Sequence, residues 1–138
     1  MSVTGSCLCR GVRYEVTQPF RRANHCHCSR CRKHSGSFGL SQARVARDGF
    51  RILEGEELLT VYEPAPGAAR KVFCSRCGSS LFGGHWPDGD EVSVRLGAID
   101  GDPGIRPQYH SFVGGKADWD VIADDLPRYD GAAPPTIS

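Results

Sequence analysis

Cys7-Leu8-Cys9, Cys26-His27-Cys28-Ser29-Arg30-Cys31 and Cys74-Ser75-Arg76-Cys77 hold all seven cysteines of the chain. Residues two apart on an extended segment point the same way, so Cys7 and Cys9 can grip one ion. Cys74 and Cys77 have the two-residue spacer of a zinc turn, and Gly78 after them can adopt backbone angles closed to other residues. Joined, these pairs make a four-sulfur site that ties the N-terminal segment to the middle of the chain. Three sulfurs remain, Cys26, Cys28 and Cys31. Structural zinc takes four protein ligands, whereas catalytic zinc commonly takes three and leaves a position for water or substrate. The division into four and three points to an enzyme with two zinc ions per chain.

Length and composition agree with a small metal-clipped domain. The chain has 138 residues, 24% of them charged, and a formal net charge of +1. Neither disorder nor a strong pull toward nucleic acid is expected from this balance. Apolar runs fall far short of the ~20 residues that span a bilayer. Ser2-Val3-Thr4-Gly5-Ser6 shows no basic region followed by an apolar stretch, so no signal peptide is expected and a cytoplasmic location is. In that reducing compartment clustered cysteines read as metal ligands rather than disulfides.

Around the cysteines the chain reads as short strands. Val12, Tyr14 and Val16 alternate with polar residues, and so do Val92, Val94 and Leu96. Further strands are expected over 38–45, 58–62, 71–74 and 79–82, and a last one over 109–113. Gly11 reads as a tight turn, and Asp48-Gly49, Pro64-Ala65-Pro66-Gly67 and Gly101-Asp102-Pro103-Gly104 as further breaks. One helix is expected, capped by Asp118, with Trp119, Ile122 and Leu126 on one face and Pro127 as its stop. The fold class is mainly β, built of several small antiparallel sheets with that one short C-terminal helix. Residues 1–131 form a single domain and 132–138 a flexible tail.

The three-sulfur group is the candidate site of chemistry. On an extended segment Cys26 and Cys28 face one way and His25 and His27 the other. The fourth position is open to water, an exogenous thiol, or a histidine such as His34 or His110. A zinc with an open position holds a thiol as its reactive thiolate at neutral pH. His27 and His34 are candidate proton carriers, or groups that orient the ligands. Arg30, Arg32 and Lys33 form a basic patch that can attract the carboxylates of a small anionic thiol. Trp86 and Trp119 read as core or pocket wall, and Asp100 and Asp102 as turn residues. Two other readings stay open: a closed three-cysteine, one-histidine zinc site without chemistry, and a different pairing of the three groups.

Gly5-Ser6-Cys7-Leu8-Cys9 with Val12, Cys26 to Lys33 with Gly36, and Phe73 to Ser79 followed by Leu81-Phe82 resemble the glutathione-dependent formaldehyde-activating enzyme family, also described as similar to centromere protein V. Tyr109 to Trp119 and Leu126 to Gly131 look like that family's usual ending. The resemblance implies an Mss4-like zinc-binding β fold. It implies a structural zinc at Cys7, Cys9, Cys74 and Cys77, and a second zinc, with the chemistry, at Cys26, Cys28 and Cys31. It also implies a carbon–sulfur lyase joining glutathione to formaldehyde or releasing it from S-hydroxymethylglutathione. Members often have glycine directly after the second cysteine; this chain has Arg10 and then Gly11, which is expected to shift the turn. The competing function is a non-catalytic module whose two structural zincs support binding of a protein or nucleic acid. The chain lacks the charge excess of a nucleic-acid backbone binder. Redox chemistry ranks last, because both metal sites together use every cysteine and leave no free nucleophile.

Overall fold

A computed structural model describes residues 2–134; of the expected tail, 135–138 lie outside the described residues. The chain is mainly β. A three-stranded antiparallel sheet has the order β1 (Val3–Ser6), β2 (Arg13–Val16), β5 (Phe50–Glu54). A seven-stranded sheet has the order β10 (His110–Ser111), β3 (Arg22–Cys26), β4 (Leu40–Ala46), β9 (Glu91–Arg95), β8 (Ser80–Gly84), β7 (Arg70–Cys74), β6 (Leu59–Tyr62). Its pairs are antiparallel except β3 with β10, which run parallel with His25 opposite His110.

Alternation along each strand divides the seven-stranded sheet into two unlike faces. Val45, Val72, Phe82, Val92 and Val94 are fully buried against Tyr14, Val16 and Phe50 of the smaller sheet. Phe82 makes edge contacts with both Phe50 (4.7 Å) and Trp86 (5.1 Å), locking the two sheets together at their centre. The other face carries Asn24, Gln42, Lys71, Ser93 and Arg95. All five are buried as well, none more than 9% exposed. A polar face would ordinarily meet water. Here it forms the floor of a cavity.

The one α-helix among the described residues is α1, Ser29–Ser35, directly after the second cysteine of the central group. The Cys28 side chain accepts a hydrogen bond from the Cys31 amide at its start, and Gly36, left-handed at φ 69°, closes its end by donating to Arg32 O. The helix expected over 118–126 does not form; the segment is turn and irregular chain. Trp119 is 68% and Val121 80% exposed, so no apolar surface is available to pack a helical stripe there. The chain runs instead beside β10, where Pro127 O accepts from the His110 amide and the Tyr129 amide donates to His110 O. Side chains satisfy other backbone groups: Lys116 caps Ala117 O and Asp120 O, and Arg128 caps Ile122 O and Asp124 O. Tertiary partners override the local helical pattern.

The expected shift of the first cysteine turn is also corrected. Arg10 itself occupies the left-handed position at φ 63°, the place a glycine would fill, and its amide donates to Cys7 O. Gly11 is not left-handed; a Cβ there would press on the ends of the Arg76 and Leu58 side chains, at 2.5 and 2.7 Å, which would have to shift.

Arg10→Gly is expected to raise stability by up to ~1 kcal/mol, because an L side chain in this region is strained. Gly55→Ala is expected to cost more than ~2 kcal/mol, since its Cβ would overlap the Gly11 carbonyl at φ 82°. Gly67→Ala, also left-handed but in open space, should cost only about 1 kcal/mol. Urea denaturation of the three variants checks this order.

Candidate metal centres

The seven cysteines, none of them in a disulfide, fall into two groups. Cys7, Cys9, Cys74 and Cys77 have their sulfurs within 4.8 Å of one another, and so do Cys26, Cys28 and Cys31. Individual separations are 3.5 Å for Cys7–Cys9, 3.9 Å for Cys9–Cys74 and 3.4 Å for Cys26–Cys31. An ion bound tetrahedrally at ~2.3 Å by thiolates requires sulfur–sulfur edges of about 3.8 Å. Both groups fit a metal of that kind. The pairing is the one expected, not a reshuffled one.

The four-sulfur centre is built from two turns of like design. The Arg10 amide returns to Cys7 O and the Gly78 amide to Cys74 O, each residue left-handed. Cys74 is the last residue of β7 and is fully buried in the main core, as is Cys7, so the centre joins the β1–β2 hairpin to the large sheet. Hydrogen bonds reach the sulfurs from the Val12 amide (to Cys7, 3.2 Å) and Arg76 Nε (to Cys9, 3.2 Å). The Ser79 hydroxyl lies 3.2 Å from Cys77 Sγ and its hydrogen bond pulls that thiol down to about 5. Burial pushes the Cys7 thiol up. Donors directed at sulfur favour the thiolate form that a metal requires.

The three-sulfur centre sits where β3 ends and α1 begins. Cys26 closes β3, Cys28 caps the helix and Cys31 lies in its first turn. Gly39 lets β4 pass close by, since a Cβ there would collide with Cys26 O. Hydrogen bonds from Cys26 and Cys31 hold the Cys28 thiol far below its usual value, while the same sharing raises the other two. Lys71 Nζ donates to Cys31 Sγ at 3.3 Å although the lysine is only 6% exposed. Arg95, also buried on the floor, donates to Ser93 Oγ (3.1 Å) and Gln42 Oε1 (3.4 Å); its Nε has no partner among the described residues. Burial pulls the guanidinium down to about 10, against the upward pull of the three sulfurs. Gly83 makes room for it, because a Cβ at that position would meet Arg95 Nη2 at 2.8 Å.

Cys26, Cys28 and Cys31 line one end of a cavity of about 770 Å³. Pockets of this size hold small molecules. Among the described residues no histidine or carboxylate joins the three sulfurs at ligand distance. His27 stands on the opposite side of β3, its Nε2 2.8 Å from His110 Nδ1, and His110 Nε2 is 3.0 Å from both oxygens of Asp124. His34 lies one turn beyond Cys31 with its ring against Phe73, and its Nδ1 is buried without a partner among the described residues. Neither His27 nor His34 lines the cavity. Of the expected basic patch only Arg30 does: Arg32 donates to Gly115 O, and Lys33 is exposed elsewhere. Ala132, Ala133 and Pro134, at the start of the expected tail, lie along the cavity wall.

Sequence reasoning missed Lys71, Arg95, Gln42 and Arg44. The available signal was that each stands on the polar side of a strand, which alternation alone does not distinguish from a solvent-facing side. Trp86 is core, whereas Trp119 is exposed.

Comparison with known proteins adds the following. The family described as glutathione-dependent formaldehyde-activating enzyme matches residues 2–115. A Halomonas elongata protein named "Putative glutathione-dependent formaldehyde-activating enzyme" is 33% identical over 129 residues, covering 86% of this chain and 80% of that one. A crystal structure of a Rhodobacter sphaeroides protein superposes with a TM-score of 0.59 at 27% identity, covering 72% of this chain and 89% of the other.

Cys74→Ser and Cys28→Ser should separate the two centres. Cys74→Ser opens the buried joint between the sheets and is expected to cost several kcal/mol or prevent folding. Cys28→Ser keeps an oxygen able to cap α1. It is expected to leave circular dichroism unchanged and lower the metal content by one ion per chain, read by mass spectrometry of the metal.

Proposed function

This chain belongs to the glutathione-dependent formaldehyde-activating enzyme family, and from that membership we propose that it is a zinc-dependent carbon–sulfur lyase acting on a small thiol adduct such as S-hydroxymethylglutathione. The observation that carries this reading is the three-sulfur centre opening into a cavity, with no fourth protein ligand among the described residues. Two zinc ions per chain are proposed, one structural at Cys7, Cys9, Cys74 and Cys77, one at Cys26, Cys28 and Cys31. We assign the protein to the cytoplasm, where thiols stay reduced; no helix among the described residues is long and apolar enough to cross a membrane.

Zinc in the three-sulfur centre would supply a Lewis acid that favours the thiolate form of a substrate sulfur at neutral pH. The chain's own residues do the rest. Cys26, Cys28 and Cys31 fix where the substrate sulfur stops. Lys71, 3.3 Å from Cys31 Sγ, and Arg95 behind it place two positive charges against the negative charge that a fourth sulfur adds. In the cleavage direction the carbon–sulfur bond breaks with its electron pair staying on sulfur. The adduct's hydroxyl loses its proton as the carbonyl forms; addition is the reverse. Among the described residues the lining offers no histidine or carboxylate, and we assign that proton to exchange with solvent in the cavity. His27 and His34 stand behind the lining, one bracing β3 against β10 and the other packing α1 onto β7.

Exchange NMR on glutathione and formaldehyde tests the proposal. The zinc-loaded protein should accelerate interconversion with S-hydroxymethylglutathione over the uncatalysed rate, and Cys28→Ala should abolish the acceleration. Lys71→Met, close in volume but uncharged, should lower it about 10- to 100-fold with the fold retained. Interconversion no faster than without protein would sink the lyase reading.

A further inference from the structure

The cavity beside the three sulfurs is lined, among the described residues, by six cations, Arg22, Arg30, Arg44, Arg70, Lys71 and Arg95, and by no carboxylate. Two of them are neutralised from outside it. Arg22 pairs with Glu91 at 2.9 Å, and Arg70 with Glu63 at 3.2 Å and Asp88 at 3.4 Å. Lys71 and Arg95 stand at the inner end and face the sulfurs, whose thiolate charge they offset. Arg44 and Arg30 are left. Neither guanidinium has a hydrogen bond or an ion pair among the described residues.

Arg44 is the more constrained of the two. It lies half-buried on β4, opposite Arg22 on one side and Ser93 on the other, within the sheet that forms the floor. Arg22, its cross-strand neighbour, is already satisfied by Glu91, so the Arg44 charge has no share in that carboxylate's hydrogen bonds. Like charges placed opposite each other repel, and a half-buried guanidinium that feels Glu91 without hydrogen-bonding it, that carboxylate being paired with Arg21 and Arg22, is incompletely compensated. A bound anion removes both penalties. Leu40, opposite Cys26, is four residues from Arg44 along the same strand, about 13 Å between α-carbons. That spacing lies within the reach of one extended small ligand with its sulfur at one end and an anionic group at the other.

We propose that Arg44, helped by Arg30 at the mouth, holds a carboxylate of the thiol whose sulfur enters the Cys26, Cys28 and Cys31 centre, so that the site selects thiols carrying a carboxylate several bonds from sulfur. The inference rests on the thiol site proposed above and names the substrate class it takes. A guanidinium binds a carboxylate through two parallel hydrogen bonds, which supplies direction as well as charge. Uncharged thiols would reach the sulfurs without that anchor and be held more weakly.

Isothermal titration of the zinc-loaded protein with S-methylglutathione tests this directly. The probe keeps both carboxylates and cannot supply a thiolate. Its dimethyl ester, which keeps the ammonium and lacks both carboxylates, serves as the counterpart, and Lys33→Gln as an exposed cation outside the cavity. The acid should bind at least tenfold more tightly than the ester. Arg44→Gln should reduce acid binding to the ester's level, Arg44→Lys should restore part of it, and Lys33→Gln should change nothing. Equal binding of acid and ester, no binding of either at millimolar concentration, or full affinity in Arg44→Gln would overturn the proposal. Should Arg44→Gln fail to fold, the acid-to-ester ratio on the intact protein and on Arg44→Lys still decides. Absorption of the cobalt-loaded protein with free glutathione tests the thiol site separately. An unchanged spectrum, with acid and ester still discriminated, would leave the carboxylate subsite standing and remove sulfur ligation.

Discussion

Positive charge buried on one face of the seven-stranded sheet is the constraint on which the rest of this structure depends. Lys71 and Arg95 are each only 6% exposed, and among the described residues neither meets a carboxylate. A buried cation without an opposing charge is expensive enough that the chain would lose its proton or rearrange. The opposing charge available is sulfur: three cysteines at the start of α1, one of them accepting from the Lys71 ammonium. A divalent ion held by three thiolates, as proposed above, would leave one net negative charge, which the two cations would exceed by one. The centre approaches neutrality when one further anion arrives. Charge balance thus favours a thiolate as the guest over a neutral ligand.

Strand β7 makes that arrangement and the fold inseparable. Cys74 and Val72 point into the core, where Cys74 helps to fasten the small sheet to the large one. Lys71 points to the other side and reaches the second sulfur group. One five-residue strand therefore carries a ligand of the first centre and the charge partner of the second. A loose first centre would move Lys71 as well. This gives a physical reason for a small domain to keep a four-sulfur cluster that could hold a metal outside the cavity.

The fold was legible where sequence pattern and burial coincide. The apolar residues of β2 and β9 alternate and lie in the core, and the spacing of the cysteines was enough to group them as they are found. The C-terminal helix does not form because Trp119, Ile122 and Leu126 only mimic an amphipathic stripe: Trp119 is exposed, Ile122 and Leu126 are half-buried, and the chain pairs with β10 instead. The helix that does form carried no usual sequence signal, because its cap is a cysteine rather than one of the common capping residues. Gly36 after Arg32-Lys33-His34 was the available clue. The cavity floor was invisible for a different reason. Alternation shows that Ser93 and Arg95 face away from Val92 and Val94, but only tertiary structure shows that the far side is covered too.

Zinc-edge X-ray absorption on the purified protein, with and without glutathione, bears most directly on the central claim that the Cys26, Cys28 and Cys31 centre is open and takes a thiol. The account predicts an average between three and four sulfurs per zinc in the free protein, rising to four on addition of glutathione. Four sulfurs before any thiol is added, or a histidine nitrogen that glutathione does not displace, would contradict it.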